Sequence, residues 1–265
     1  MLNVIFFAAL VLYFAASVLE FAGVSFKKEK LLKAAWWIFV AGFALHTVYF
    51  IARGVKAGRV PLANQFEFSM AFSWGIAALL IVFQKRLHAE WLSVAAMPVA
   101  FLVLSYAALK PMEITELMPA LKSTWFVFHI GSAMFSYSAF VLAGCAGLRY
   151  LLMSRKGKEP DELKLRQMDF MAYRLIALGF LLLTVTILSG AIWAEQAWSS
   201  FWTWDPKEVW ALITWIIYAV YLHLHLRRNA NAKMLAWYVV IAVPVVLFTF
   251  AGVNTLMPGL HSYGG

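Results

Sequence analysis

Residues 170–194 read Phe170-Met-Ala-Tyr-Arg174-Leu-Ile-Ala-Leu-Gly-Phe-Leu-Leu-Leu-Thr-Val-Thr-Ile-Leu-Ser-Gly-Ala-Ile-Trp193-Ala194, with Arg174 the sole charge. As a helix this stretch rises about 37 Å, more than the roughly 30 Å of a bilayer's hydrocarbon core. A surface helix of a soluble protein would need a polar face, and this stretch has none. It therefore reads as a membrane span. Seven further stretches read the same way, near 2–24, 34–53, 66–84, 89–109, 125–153, 207–227 and 233–256. The predicted fold is all-α: a polytopic integral membrane bundle of about eight transmembrane helices. The spans at 125–153 and 170–194 are long enough to tilt or to extend beyond the bilayer.

Composition agrees. Of the 265 residues, 63% are hydrophobic and 13% charged, with a mean hydropathy of +0.77, whereas soluble domains carry about 25% charge. No repeat, low-complexity tract or soluble domain interrupts the pattern, so residues 1–265 are expected to form a single membrane domain. The first span is expected to stay in place rather than be cleaved as a signal peptide, because its basic residues follow it instead of preceding it. Cys145 is the only cysteine and lies in an apolar run, which excludes an internal disulfide.

The net charge of +9 would suggest nucleic acid in a soluble protein; here it is a topology signal and no nucleic-acid partner is expected. Fourteen basic residues fall in the odd loops: Lys27, Lys28, Lys30, Lys33, Lys85, Arg86, Arg155, Lys156, Lys158, Lys164, Arg166, Arg227, Arg228 and Lys233. Six fall on the other side: Arg53, Lys56, Arg59, Lys110, Lys122 and Lys207. The bias puts the odd loops in the cytoplasm and both termini outside. The outer side then also holds the loops around 54–65, 110–124 and 194–206.

The most unusual outer stretch runs from Trp193 to Trp210, where Trp193, Trp198, Trp202, Trp204, Trp210 and Phe201 crowd into 18 residues. A membrane interface calls for one or two rings per helix end. This density suits an aromatic platform for a large planar ligand. Asp205-Pro206-Lys207-Glu208 is a helix start: an N-cap, a proline at the first helical position and a glutamate that closes a capping box.

The six histidines sort by depth. His88 and His225 lie at cytoplasmic span ends. His129, one turn into span five, and His261, just beyond span eight, lie level with the aromatic stretch. His223 is near the cytoplasmic end of span seven, and His46 is in the outer half of span two. A histidine within a span is either a hydrogen-bonded packing residue or a functional group. Two outer histidines beside an aromatic platform could supply both axial ligands of a haem iron, since neutral imidazole is a good ligand. Other chemistries are excluded. No phosphate-binding loop is present, hence no ATP hydrolysis by this chain. No Cys-x-x-Cys is present, hence no thiol redox pair, and no Cys-x-x-Cys-His, hence no c-type cytochrome.

Trp198-Ser-Ser-Phe-Trp202-Thr-Trp204-Asp205-Pro206-Lys207-Glu208 resembles the tryptophan-rich WWD signature of haem-handling proteins. With Trp210 to His223, Gly252 to Tyr263 and Pro61 to Glu67, the chain is similar over nearly its whole length to the CcsA (ResC) family of the system II cytochrome c maturation pathway. One departure is Ser200, where that family usually has glycine. The resemblance implies that His129 and His261 are extracytoplasmic ligands of haem b, bis-His ligated, and that Trp198, Trp202, Trp204 and Asp205 cradle it. It implies that His223 ligates haem within the membrane; His46, within a span by its position, is the alternative ligand. It also implies a CcsB/ResB-like membrane subunit as partner, together forming a holocytochrome c synthase, or haem lyase, complex. That complex would pass haem across the inner (cytoplasmic) membrane, or a thylakoid equivalent, and attach it to the Cys-x-x-Cys-His segment of an apocytochrome c. No catalytic residue is assigned. The alternatives are a haem delivery protein of the system I CcmC type, which usually has six spans, and a cofactor-free membrane scaffold. By helical rise, His223 lies about 6 Å from the cytoplasmic end of its span and His46 about 18 Å from the cytoplasmic start of its own. One haem parallel to the membrane would not reach both, so His46 is expected to be a packing residue and the second ligand at His223 to come from another subunit.

Overall fold

A computed structural model describes residues 2–87, 89–155, 161–227, 231–257 and 259. Among them there is no strand, and eight helices are long and apolar enough to cross a bilayer. This is the multi-pass membrane protein that the apolar runs predict. By internal contacts the chain divides into two compact units, Met1–Glu116 and Leu117–Gly265.

Unit 1 contains α1 (Leu2–Ser25), α2 (Glu29–Ala57), α3 (Gln65–Leu87) and α4 (Ser93–Ala108). The first two pair closely because Gly42 presents no side chain to Tyr13: a Cβ there would lie 2.9 Å from the tyrosine ring. Tyr13 stacks on Phe39 with centroids 4.8 Å apart. Gly58, at φ +63°, ends α2 in the left-handed conformation that closes helices. On either side of it, Arg53 and Arg59 converge on Glu67. Arg53 Nε donates to the Glu67 carboxylate at 3.0 Å and Arg59 Nη1 at 2.7 Å, while the Ala63 amide adds a third donor at 2.8 Å. Arg53 also donates to the carbonyls of Met112 and Glu113. Arg53 and Glu67 are fully buried. Charges out of water persist only when paired and hydrogen-bonded in this way, so the network braces the ends of α2 and α3 against the segment after α4.

Unit 2 contains a short 3₁₀ turn (Pro119–Leu121), α5 (Thr124–Met153), α6 (Glu162–Trp198), α7 (Pro206–His225), α8 (Ala232–Leu247), a π-helical turn (Phe248–Gly252) and α9 (Val253–Leu256). Small residues again set the close approaches. Gly179 of α6 faces the Phe140 ring, which a Cβ would meet at 2.7 Å, and Gly147 of α5 faces the Ala236 carbonyl of α8 at 3.0 Å. Phe140 then stacks on Tyr218 of α7, centroids 3.6 Å apart. Polar ties fix the rest: Trp215 Nε1 donates to Thr184 Oγ1 at 2.9 Å, and Tyr238 OH to the Ile217 carbonyl at 2.8 Å.

Span six and the loop after it depart most from expectation. Span six, expected at 170–194, is part of a helix from Glu162 to Trp198, about 55 Å long. Asp161 caps its start by accepting from the Lys164 amide, and Glu162 to Asp169 include strong helix formers such as Leu, Lys, Arg and Gln. The connection expected at 194–206 is therefore only residues 199–205, and Trp198 stands on the helix rather than in the loop.

Candidate functional site

At the end of unit 2 that carries this loop, one histidine has a built seat. His129 stands on α5 just past the Ser123 cap, which accepts from the Trp125 amide. Its Nδ1 lies 2.8 Å from the Thr186 carbonyl oxygen of α6. A carbonyl only accepts, so Nδ1 carries the hydrogen and the ring's lone pair is on Nε2. Beneath the ring is Gly190, where a Cβ would meet Nδ1 at 2.5 Å and Cε1 at 2.7 Å. Beside it is Trp193, stacked at 5.8 Å and 23°. Trp193 is 1% exposed and anchored by Nε1 donating to the Ala120 carbonyl at 2.7 Å. Trp198 meets Trp193 edge to face at 5.0 Å, and Phe126 packs on Trp193 as well.

The loop is held by the start of α7. The capping box expected at Asp205-Pro206-Lys207-Glu208 is formed: Asp205 Oδ1 accepts from the Lys207 amide at 2.9 Å and Glu208 Oε2 accepts from the Asp205 amide at 3.2 Å. Glu208 also accepts from the Thr203 amide at 2.8 Å. The chain bends through two left-handed non-glycine residues: Ser199 at φ +57°, the C-cap of α6, whose amide donates to the Glu195 carbonyl, and Trp204 at φ +58°, between the Thr203 and Asp205 amides that Glu208 holds. Side chains disfavour that region, so the surrounding bonds must impose it. Trp204 is 69% exposed and Phe201, on the same loop, 60%. Trp202 meets Trp204 perpendicularly at 5.7 Å.

The five tryptophans thus divide. Trp193 stacks beside His129 with Trp198 edge-on to Trp193, Trp202 and Trp204 stand on the loop, and Trp210 packs on Phe248 at 4.5 Å. His261 lies outside the described residues, as does His88. The chain leading to His261 is described at Gly259, whose backbone rests against Asp205 Oδ2 and, within 3.1 Å of an added Cβ, Pro206 Cδ.

The remaining histidines are elsewhere. At the opposite end of unit 2, His223 is on an exposed face of α7, with Arg227 Nη2 3.4 Å from its Nε2. His225 points the other way, stacked on Tyr173 at 4.5 Å and paired with Asp169 at 3.2 Å. His46 is in unit 1, fully buried, its Nδ1 3.3 Å from Tyr13 OH. Two contributors escape sequence reading, Gly190 and Thr186, as does the role of Lys207. Lys207 donates from Nζ to the carbonyls of Thr249 at 3.1 Å and Phe250 at 3.3 Å.

Known proteins identify the family. The family model of the cytochrome C assembly protein matches residues 62–261. The cytochrome c biogenesis protein CcsA of Prochlorococcus marinus is 34% identical, over 83% of this chain and 80% of its own. That of Guillardia theta is 32% identical, over 82% and 81%, and that of Marchantia polymorpha 33%, over 82% and 83%. Among solved structures, the cytochrome c haem lyase CcmF shares the fold at a TM-score of 0.74 and 12% identity; the match covers 94% of this chain but 46% of that one. On the extent of these matches, the chain belongs to the cytochrome c assembly protein family and acts in cytochrome c maturation.

Proposed function

We propose that the chain carries haem outward through the membrane and presents it for covalent attachment to an apocytochrome c, as one subunit of a complex with a CcsB/ResB-like membrane protein. The observation that supports this most is the seat of His129. A ring locked by Nδ1–H donation to a backbone carbonyl, with its lone pair on Nε2, has the form in which histidines bind iron. The exposed rings of Phe201 and Trp204 offer apolar surface for a porphyrin at the same end of the unit. In this reading haem b is cargo. His129 and His261 are its axial ligands, and Trp198, Trp202, Trp204 and Asp205 build the cradle, with Trp198 acting through Trp193. Attachment adds each thiol S–H of a Cys-x-x-Cys-His segment across a haem vinyl group. This chain's part is to hold the ring steady and keep its edge open to the acceptor.

His129→Ala should lower haem affinity at this end about tenfold or more, and millimolar imidazole should restore a low-spin spectrum by filling the vacated position. Full affinity with an unaltered Soret band in His129→Ala would remove the assignment. A cofactor-free scaffold predicts no Soret band in the purified protein at all. Eight spans favour this reading over the six-span CcmC type.

The orientation is part of the proposal: both termini outside, with the aromatic loop on the extracytoplasmic face. It rests on the fourteen-to-six basic asymmetry. A reporter active only in the cytoplasm should be silent when fused after Gly265 and active when inserted at 156–158. The reverse pattern would invert the route.

A further inference from the structure

Lys207 occupies a position that helix electrostatics disfavours. It is the second residue of α7, where unpaired N–H groups and the helix dipole repel a cation. Asp205, one residue before the helix, supplies only part of the compensation. The rest comes from across the unit, where the ammonium bonds the carbonyls of Thr249 and Phe250.

Those carbonyls belong to the π-helical turn Phe248–Gly252. A π turn shifts the i→i+4 register and leaves carbonyls poorly matched to their usual donors. In a membrane such a group is costly unless another donor reaches it. One stripe of α7 serves this turn. Lys207 takes its carbonyls, Trp210 packs on Phe248, and Thr214 Oγ1 meets Thr249 Oγ1 at 3.1 Å. The turn opens for the Phe248 ring because residue 252 is glycine; a Cβ there would lie 2.8 Å from ring atom Cε2. Ten residues later the same first turn of α7 meets the chain again, where Gly259 lies against Asp205 and Pro206. The segment 249–259 is therefore pinned to α7 at both ends.

We infer that Lys207 is a positioning residue: its ammonium acts as a built-in cation that locks the π turn, so that the segment from 249 to 259 is delivered to Asp205 in one register. This rests on the reading of His261 as a ligand. Two residues of chain span about 7 Å at most, so whatever fixes residue 259 limits where a ligand at 261 can act. The aromatic loop and the C-terminal segment then move as one body, because Asp205 and Lys207 belong to the same helix start as Glu208, which holds the loop.

The test uses the full-length chain in detergent, titrated with ferric protoporphyrin IX, with hydrogen exchange followed over residues 248–257. Lys207→Met should speed exchange there about tenfold, the scale of losing hydrogen bonds to a charged group, and should convert the low-spin haem to a high-spin form that free imidazole rescues. Lys207→Arg, which keeps charge and donors, should recover much of both. Gly259→Ala keeps Lys207 but drives a methyl group into the Asp205 carboxylate; it should change the spin state alone, and it carries the test if Lys207→Met does not accumulate. Unchanged exchange in Lys207→Met, or exchange raised equally in Lys233→Met, overturns the lock. Low-spin haem in Lys207→Met alongside high-spin haem in His261→Ala overturns the positioning role. Low-spin haem in His261→Ala would instead refute the ligand reading, and the exchange data would still decide the lock.

Discussion

Gly190→Ala is expected to weaken haem binding at the loop end by about 10- to 100-fold, the range for losing the group that orients a metal-binding histidine. The added methyl would stand 2.5 Å from His129 Nδ1 and 2.7 Å from Cε1, closer than carbon contacts allow. The ring has little room to retreat, because Trp193 stacks beside it and is itself held by the Ala120 carbonyl. The least costly escape rotates His129 off the Thr186 carbonyl, and with that bond goes the tautomer that leaves the lone pair on Nε2. Global stability should move much less. Alanine favours a helix interior over glycine by about 0.5–1 kcal/mol, which offsets part of the strain. A haem titration by Soret absorbance and a thermal melt on the same preparation separate the two effects. Gly131→Ala is the control: it is on α5 two residues from His129, but a Cβ there meets nothing within 4 Å, so its affinity should match the parent. Gly190→Ala binding haem within twofold of the parent would mean that the seat of His129 does not matter.

The contrast between these two glycines shows what the sequence can and cannot reveal. Apolar runs identify the spans because lipid imposes one rule, that every backbone group be satisfied within a helix. The capping box at Asp205 was equally legible, since cap and partner lie within four residues. Gly190 was not, because its role is defined by a ring 61 positions earlier that only the α5–α6 pairing brings overhead. Arg53, Arg59 and Glu67 illustrate the same limit. As sequence, the two arginines counted as minority charges on the side with fewer basic residues and Glu67 as the end of a loop motif; folded, they form a buried network tying α2 to α3. Lys207 was counted in the same way, and its partners are backbone carbonyls, which leave no mark in side-chain composition. The length of α6 was underestimated because hydropathy locates only the lipid-matched part of a helix. The ends continue through residues such as Glu195 and Gln196, which helices accept readily.

His223→Ala is expected to deplete haem from the whole complex about tenfold or more, on the scale of lost metal-ligand support, although His223 is nearly the full length of α7 from the aromatic loop. Its surroundings differ from those of every other described histidine. Only 17% of the apolar stretch of α7 is buried, against 67% for that of α5. His223 shares the exposed stripe with Ile216 and Val220, while His225 two residues on turns inward to Asp169 and Tyr173. An ionisable ring facing out of a membrane helix is costly unless something covers it. A second subunit carrying the other axial ligand would do so, and would make this an entry station from which haem moves on to His129. His46, fully buried against Tyr13, offers no comparable opening, so His46→Ala should cost packing and little haem. His225→Ala should loosen the α6–α7 contact without removing haem. The order of events follows from how each variant loads. If haem enters at His223, the His223→Ala complex isolated from cells should lack haem at the loop end too, yet bind it when ferric haem is added to the purified complex, because the seat of His129 is intact. Gly190→Ala should behave the other way round, keeping haem at His223 and failing to take it up at the loop. A His223→Ala complex that arrives from cells with its loop-end site full would show that haem reaches His129 without passing His223.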